Sequence, residues 1–381
     1  MPPVEFVVFT EPQQGASYAQ LRDLAQAAEE LGYDGFFRSD HYLHTQGGDP
    51  GLGPSDAWTT LAGLARDTSR LRLGTLVSSV TYRYPGILAI QVAGVDEMSD
   101  GRAELGLGTG WYAREHEAYG IPFPDGRFGL LEEQLQIVTG LWTTPPEERF
   151  SFDGEHYTLV DAPPFPRPVQ QPHPPIIIGG GGPKRTPNLA ARFAEEYNTG
   201  FGDLATTAER FDRVRAACVE VGRAPESIRM SAAHQLACAT DEATLVARAA
   251  THGSAPDDMR DRALVGTPDE VIARLKAISL LGAARVYLQL QDPTDIAHIE
   301  LVAREVLPAF RRRHPGFRSD AAVAPRCISG DRVRTRADPS SRDLSMLCIL
   351  TSREFRRSLY PPPHRSRRAV TWSRPNPPRR S

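Results

Sequence analysis

The chain has 381 residues, of which 40% are hydrophobic and 24% charged, and its formal net charge is −3. This length fits two domains or one large α/β barrel of roughly 250 to 300 residues, and no window reaches the roughly 18 continuous apolar residues that a membrane span requires. The N-terminus shows no signal peptide, and the four Cys are scattered without a CxxC pair or a His at metal-binding spacing. Composition therefore predicts a cytoplasmic globular protein without a membrane segment or a bound metal.

Up to Phe310, short strand-like segments alternate with longer helix-like segments, which is typical of βα units around a parallel sheet. The predicted strands are residues 5–9, 35–38, 71–78, 103–107, 175–178, 197–200, 228–239 and 285–290. The predicted helices are residues 18–31, a helix beginning near residue 55, and residues 85–98, 128–142, 187–194, 206–221, 241–252, 268–281 and 296–310. Eight right-handed crossovers close into a (β/α)8 barrel, whose active site lies on the loops at the carboxyl ends of the strands.

Two segments fall outside this repeat. Residues 149–160 alternate around Asp153 and Gly154 and predict a β-hairpin insertion. Residues 311–381 contain 18 Arg, 4 Asp and 1 Glu, a net charge of +13, which leaves −16 for the first 310 residues. This tail is rich in Pro and Ser and has no sustained period, so we expect it to be largely disordered. We favour an appendage outside a barrel domain of residues 1–310 over an arm that binds nucleic acid or an acidic partner.

The most informative segment follows the fourth predicted strand and reads GLGTGWYAREHE from Gly106 to Glu117. Its glycines let the backbone approach a flat or anionic ligand, and Thr109 adds a hydroxyl. Such a turn alone is equally typical of a tight strand-to-helix connection.

Further polar or glycine-rich groups follow strands one to five, where a barrel would bring them to one rim. They are Glu11, Asp40 with His41, Ser78 with Ser79, the Gly108 to Gly110 turn and the Gly179 to Gly182 run. Each has an ordinary explanation, such as a turn cap, a surface imidazole or a flexible loop. Glycines followed by Lys184 and Arg185 at a helix start, however, offer free N–H donors and positive charge, which a phosphate group requires.

Several motifs, in this order and spacing, resemble the bacterial luciferase-like monooxygenases, and within them the oxidoreductases that use the deazaflavin coenzyme F420. The motifs are GYDGFFRSDHYL, DAWTTLAGLARDTSRLRLGTLVSSVTYRYPGILA, GRAELGLGTGWYAREHEAYG and PPIIIGGGGP. The resemblance covers roughly residues 4 to 310. It implies hydride transfer between the deazaflavin and a small organic substrate, with a homodimer and a cofactor-reducing enzyme as partners.

The resemblance also implies roles for individual residues. Asp40 and His41 match a pair beside the reactive face of the cofactor, in which the imidazole carries a proton and Asp40 holds its tautomer. A non-proline cis peptide at Leu76-Val77 is expected to form a bulge behind the central ring. The cofactor-binding residues implied in this way are Asp40, Leu76, Val77, Ser79, Gly108, Thr109, Gly110, Gly180, Gly181, Gly182 and Lys184.

The substrate side departs from the better-known deazaflavin sugar-phosphate dehydrogenases. Those enzymes have an acidic residue directly after the glycine turn, where this chain has Trp111. Together with Glu11, Trp58 and His116, Trp111 predicts an aromatic pocket for an apolar or planar organic molecule, although aromatic residues near barrel loops also serve simple packing.

Two alternatives stay open. An FMN-dependent monooxygenase, supplied with reduced flavin by a partner reductase, needs the same barrel and phosphate loop. The second alternative is a non-catalytic barrel that binds flavin. The Ser39-Asp40-His41 motif favours the deazaflavin, and the presence of the His, the Asp and the glycines argues against a non-catalytic barrel.

Overall fold

The computed structural model describes residues 3–45 and 53–311. Its strands, in chain order, are β1 (Glu5–Thr10), β2 (Gly35–Arg38), β3 (Arg72–Thr75), β4 (Ser78–Ser79), β5 (Ala103–Gly108), β6 (Phe150–Asp153), β7 (Thr158–Ala162), β8 (Ile176–Gly179), β9 (Glu196–Asn198), β10 (Arg229–Cys238), β11 (Leu264–Gly266) and β12 (Arg285–Leu290).

The helices connect these strands and surround them. They are α1 (Tyr18–Glu30), α2 (Ala57–Asp67), α3 (Pro85–Met98), α4 (Ala113–Tyr119), α5 (Arg127–Thr143), α6 (Arg185–Phe193), α7 (Leu204–Glu220), α8 (Glu242–Thr251), α9 (Pro256–Met259), α10 (Pro268–Leu280) and α11 (Ile296–Glu305), with short 3₁₀ turns at Pro12–Gln14, Pro225–Ser227 and Leu307–Ala309. Local sequence fixes several helix starts. Ser17 and Thr267 each form a capping box with the residue three positions later, at α1 and α10. Within the described residues, none of these helices has the length and apolarity needed to cross a bilayer.

The wall of the barrel consists of eight parallel strands in the order β10-β12-β1-β2-β3-β5-β8-β9, and β9 pairs with β10 to close it. The (β/α)8 prediction is therefore confirmed. Both faces of the strands are apolar, as expected for a parallel sheet covered by helices. In β8, for example, Ile176 and Ile178 pack in the core under the helices, whereas Ile177 points into the barrel with Phe9 and Phe37.

Three local features differ from the expected elements. The third strand is interrupted at Leu76 and Val77, so it divides into β3 and β4. α4 was not expected because its seven residues, AREHEAY, have no continuous apolar face. The short α9 and β11 were also missed, since three- and four-residue elements carry almost no periodic signal.

The hairpin insertion is present as β6 and β7, which pair antiparallel with Phe152 opposite Leu159. Its turn is fastened to α5 by the carboxylate of Glu133, which accepts the backbone N–H groups of residues 155 to 157. The tail predicted to be disordered lies, from residue 312 onward, outside the described residues.

The amino-terminal end of the barrel is filled by a cluster of paired charges. Arg285, at the start of β12, lies 2.6 Å from Glu104 and 2.9 Å from Glu196, and all three side chains are buried. Burial opposes ionisation of Glu104, but Arg285 and Arg72 lower the pKa of its carboxyl to about 2. The hydroxyl of Tyr287 donates to Glu196. This cluster supports the barrel at the end opposite the predicted active site.

Candidate active site

A cavity of about 440 Å³ opens at the carboxyl ends of the barrel strands. Eleven of the predicted site residues line it, namely Glu11, Asp40, His41, Leu76, Val77, Ser79, Gly108, Thr109, Gly110, Trp111 and Gly180. The structure therefore brings together groups that are up to 169 residues apart in the sequence.

The gap between β3 and β4 forms one wall of this cavity. The Leu76–Val77 peptide bond is cis, as the resemblance implies. Leu76 and Val77 both line the cavity. A Cβ placed on Gly108 would lie 2.9 Å from Val77 Cγ2, which is too close, and one on Gly179 would lie 3.1 Å from Val77 Cγ1, so Val77 would have to shift by a few tenths of an ångström. The glycines at the ends of β5 and β8 therefore make room for the Val77 side chain in this wall.

The glycine turn after β5 packs against the end of β4. Gly110 has φ 72°, in the left-handed region, and a Cβ at this position would collide with Ser79 Oγ. Ser79 Oγ also lies 2.7 Å from Thr81 Oγ1. The turn thus presents backbone to the cavity at close range.

The second glycine run continues from the cavity to a cationic side chain that the sequence did not single out. Gly180 lines the cavity, and a Cβ on Gly181 would lie 2.6 Å from Cζ of Arg210. Arg210 Nη1 donates to the carbonyl of Thr199 at 2.7 Å. Lys184 is exposed and occupies the N-cap position of α6, two residues after the last of these glycines. This loop combines backbone, a helix start and cations beside the cavity.

Asp40 is fully buried in the cavity wall and is held by two donors. Ser78 Oγ donates to its Oδ2 at 2.6 Å, and Arg83 Nη1 lies 2.5 Å from the same oxygen. Arg83 also binds Asp56. The idea that Asp40 holds the His41 tautomer is therefore wrong, because its carboxylate is engaged by Arg83 and Ser78.

The carboxylate that contacts His41 belongs instead to Glu115, on α4. His41 Nδ1 lies 2.9 Å from Glu115 Oε1, and the Glu115 side chain is completely buried. The backbone N–H of Tyr42 donates to Glu115 Oε2 at 2.9 Å, and the Tyr82 hydroxyl donates to Oε1. Thus α4 contributes the principal partner of the candidate proton carrier.

The aromatic residues predicted for the substrate pocket divide into two groups. Trp111 is 66% exposed at the cavity mouth, and its ring meets His41 edge to face at a centroid distance of 5.6 Å. Trp58 and His116 are buried and do not line the cavity; Trp58 Nε1 donates to Ser78 Oγ, and His116 Nε2 lies 2.6 Å from Thr81 Oγ1. These two side chains lie behind the cavity wall and support it, and their role toward a substrate stays a prediction.

Three charged residues of the site were missed from the sequence: Arg83, Glu115 and Arg210. Their partners lie between 11 and 74 residues away along the chain, so no local spacing reveals the pairs. For Glu115 a weak signal existed, since it follows the glycine turn by only five residues. The aromatic character of this segment instead indicates its neighbour His116.

Comparison with known proteins supplies the family. The model of the family described as luciferase-like monooxygenase matches residues 4–256, well over half of the chain. The chain belongs to the luciferase-like monooxygenase family. It is accordingly an enzyme of the oxidoreductase class, and the resemblance seen in its motifs is confirmed.

Curated relatives of this luciferase-like protein include two proteins named F420-dependent glucose-6-phosphate dehydrogenase. The one from Microbacterium testaceum is 30% identical over 300 residues, which cover 77% of this chain and 85% of the relative. The one from Kineococcus radiotolerans is 32% identical over 283 residues, which cover 73% of this chain and 81% of the relative.

Solved structures share the fold at lower identity. An F420-dependent secondary alcohol dehydrogenase in complex with an F420-acetone adduct has a TM-score of 0.72 at 19% identity, over 82% of this chain and all of the other. The monooxygenase RslO1 from Streptomyces bottropensis has a TM-score of 0.69 at 24% identity, over 81% of this chain and all of the other.

Proposed function

We propose that this luciferase-like protein is an F420-dependent oxidoreductase that transfers a hydride between the deazaflavin and a small, uncharged organic substrate. The observation that carries the proposal is the cavity in which His41 and the glycine-flanked Leu76–Val77 wall come together. The two F420-dependent relatives, at 30% and 32% identity, support the choice of cofactor.

The residues of the cavity fit a flat, phosphorylated ring system. Leu76 and Val77 form an apolar wall beside the glycines of β5 and β8, and the glycine turn at Gly108 to Gly110 presents backbone. The run from Gly180 to Gly182 leads to the start of α6, with Lys184 and Arg210 nearby, and would hold the phosphate end. When bound, a deazaflavin supplies the carbon that accepts or donates the hydride.

The chain itself supplies orientation, proton transfer and exclusion of water. His41 lines the cavity with its Nδ1 engaged by Glu115, so the rest of the ring is available to a substrate hydroxyl or carbonyl. Histidine exchanges protons near neutral pH and is suited to moving the proton that accompanies a hydride. Trp111 covers the mouth beside His41.

The charge of the lining supports an uncharged substrate. Among the described residues that line the cavity, none is Lys or Arg, whereas Glu11 contributes a carboxylate and that of Asp40 is paired with Arg83. Recognition of a phosphate ester normally uses several cations. Glu11 is held by Gln291, whose side-chain amide donates to it at 3.0 Å. We therefore propose a small alcohol or ketone rather than the glucose 6-phosphate named for the relatives.

Titration of the purified protein with oxidised F420 and, separately, with FMN tests the cofactor. We expect F420 to bind at least about tenfold more tightly than FMN, a difference of roughly 1.4 kcal/mol. Tighter binding of FMN would instead favour a monooxygenase that uses reduced flavin, and binding of neither would favour a non-catalytic barrel.

A second experiment tests the substrate class. The F420-loaded protein is mixed with a panel of uncharged alcohols and, in parallel, with glucose 6-phosphate, and reduction of the deazaflavin is followed by its absorbance. We expect reduction only with uncharged compounds. Reduction by glucose 6-phosphate alone would refute the proposed substrate class while leaving the cofactor assignment intact.

A further inference from the structure

The buried carboxylate of Glu115 accepts hydrogen bonds from three donors. His41 Nδ1 approaches Oε1 at 2.9 Å, the Tyr42 backbone N–H donates to Oε2 at 2.9 Å, and the Tyr82 hydroxyl donates to Oε1. The Glu115 side chain has no exposure to solvent. Each of its oxygens is therefore committed to protein groups.

The protonation of this cluster follows from the donor inventory. A backbone N–H can only donate, and an ionised carboxylate can only accept. Burial by itself raises the pKa of the Glu115 carboxyl, but the interactions with His41, Tyr82 and the Tyr42 backbone outweigh it and hold the pKa below its usual range. Burial and the nearby carboxylate raise the pKa of the Tyr82 hydroxyl, so Tyr82 keeps its proton and donates. The proton between His41 and Glu115 must then reside on Nδ1.

We propose that Glu115 is a positioning residue that fixes the neutral imidazole of His41 as the Nδ1-protonated tautomer, leaving the Nε2 lone pair free to accept a proton from substrate. Glu115 lies on α4 behind His41 and does not line the cavity, whereas His41 does. Nε2 is at the ring edge turned from Glu115, and no described residue hydrogen-bonds it.

Proton transfer from substrate to this lone pair rests on the proposed function, whereas the assignment of the His41 tautomer does not. In the oxidation direction, the O–H bond of an alcohol would break and its proton would pass to Nε2, while the electron pair left on the oxygen would form the C=O bond as the carbon releases its hydride; the bound deazaflavin would be the hydride acceptor. The resulting imidazolium faces the anionic Glu115, which stabilises it. The contact between Glu115 and His41 thus determines which ring nitrogen accepts the proton, and it then stabilises the positive charge of the protonated ring.

The tautomer can be read directly in the cofactor-free protein by NMR of ¹⁵N-labelled histidine, with the His41 signals identified by their loss in His41→Gln. We expect the neutral wild-type ring to carry its proton on Nδ1. In Glu115→Gln the side-chain amide can donate as well as accept, so this preference should be lost. Glu117→Gln, an exposed change on the same helix, should leave the tautomer as it is in wild type.

Two results would overturn the assignment: a wild-type His41 protonated on Nε2, or the same tautomer in wild type and Glu115→Gln. Tyr82→Phe provides a second variant, which should keep the Nδ1 proton because the carboxylate remains. With F420 and a reactive alcohol, Glu115→Gln should lower kcat about tenfold or more at little change in KM, and Glu117→Gln should not. Failure of F420 to bind would remove the kinetic test and the proposed function, but the NMR result would still decide the role of Glu115.

Discussion

Arg83 and Asp40 form a buried ion pair in the cavity wall, with 2.5 Å between Arg83 Nη1 and Asp40 Oδ2. The Arg83 side chain is 7% exposed and that of Asp40 is fully buried, so water screens this pair little. Arg83 also binds Asp56, on the chain just before α2. One guanidinium therefore ties the loop after β2 to the start of a surrounding helix.

Arg83→Met should strongly destabilise the protein, because it leaves the Asp40 carboxylate buried without its cation. Such losses cost about 3 to 5 kcal/mol of unfolding free energy, measurable by urea denaturation. Arg22→Met serves as the control: Arg22 pairs with Asp23 on the surface, where water screens the charges, so its loss should leave the free energy of unfolding close to that of wild type. Equal stabilities for the two variants would show that Asp40 does not depend on Arg83.

Arg83→Met should also change the titration of Asp56. Burial raises the pKa of this carboxyl, but the charge of Arg83 and the hydrogen bonds from Thr59 and Arg83 bring it down to about 2. Removing the guanidinium should move the pKa upward, which carboxyl ¹³C NMR can follow. An unchanged Asp56 titration would mean that the helix-capping bond to Thr59 alone accounts for the low value.

His41→Ala should reduce turnover far more than cofactor affinity. A positioned proton carrier contributes roughly 10²- to 10⁴-fold to the rate, whereas the cofactor has many other contacts along the glycine-lined wall. Single-turnover hydride transfer and an F420 titration separate the two effects. Wild-type turnover in this variant would remove the catalytic role of His41.

Gly181→Ala should weaken binding of the phosphorylated cofactor. The new Cβ would lie 2.6 Å from Cζ of Arg210, so the guanidinium must move. Loss of one charged hydrogen bond corresponds to about 1.5 kcal/mol, or roughly tenfold in Kd. Gly94→Ala, on α3, meets no atom within 4 Å and is the matched control. If the affinity for a dephosphorylated deazaflavin falls equally, the effect does not involve the phosphate.

Stability should decrease as pH falls from about 6.5 toward about 4. Burial lowers the pKa of the His234 imidazole to about 4, although its hydrogen bond to the carbonyl of Arg262 opposes the shift. The unfolded chain binds this proton near pH 6.5, so it takes up more protons than the folded protein within that window and acid favours unfolding. Thermal melts of His234→Asn should show a weaker decline, whereas His156→Asn, an exposed change, should follow wild type. Identical declines in wild type and His234→Asn would contradict this source of acid sensitivity.

A chain that ends at Arg311 should fold with an unchanged thermal midpoint. The ring of Phe310 packs edge to face on Phe6 at a centroid distance of 5.2 Å, and Leu307 is completely buried. A shorter chain that ends at Glu305 loses both side chains and should melt at a lower temperature. Collapse of the Arg311 variant would refute our interpretation of the basic tail as an appendage.

Most of the barrel was predictable because its elements carry strong periodic signals. The α3 helix, for instance, begins at Pro85 and ends at Met98, as the position of the proline and the apolar run indicate. The carboxyl ends of the strands were also recognisable, since glycines and polar residues directly follow buried segments. These two patterns together locate the cavity.

The side-chain pairings were not predictable for a geometric reason. Glu115 and His116 are adjacent on α4, and successive helical residues point about 100° apart. Only the three-dimensional position of α4 decides which one reaches His41 and which one turns to Thr81. Similarly, Asp40 and His41 are neighbours, but each is bound by a different element.

The paired charges of Arg285, Glu104 and Glu196 also affect the end of the barrel by which a ligand enters. Because they fill one end of the barrel, a molecule reaches the cavity from the opposite end, past Trp111. The coenzyme and the substrate of the proposed reaction would share this entrance. We therefore expect ordered steady-state kinetics, in which the ligand that lies deeper in the cavity binds first and leaves last.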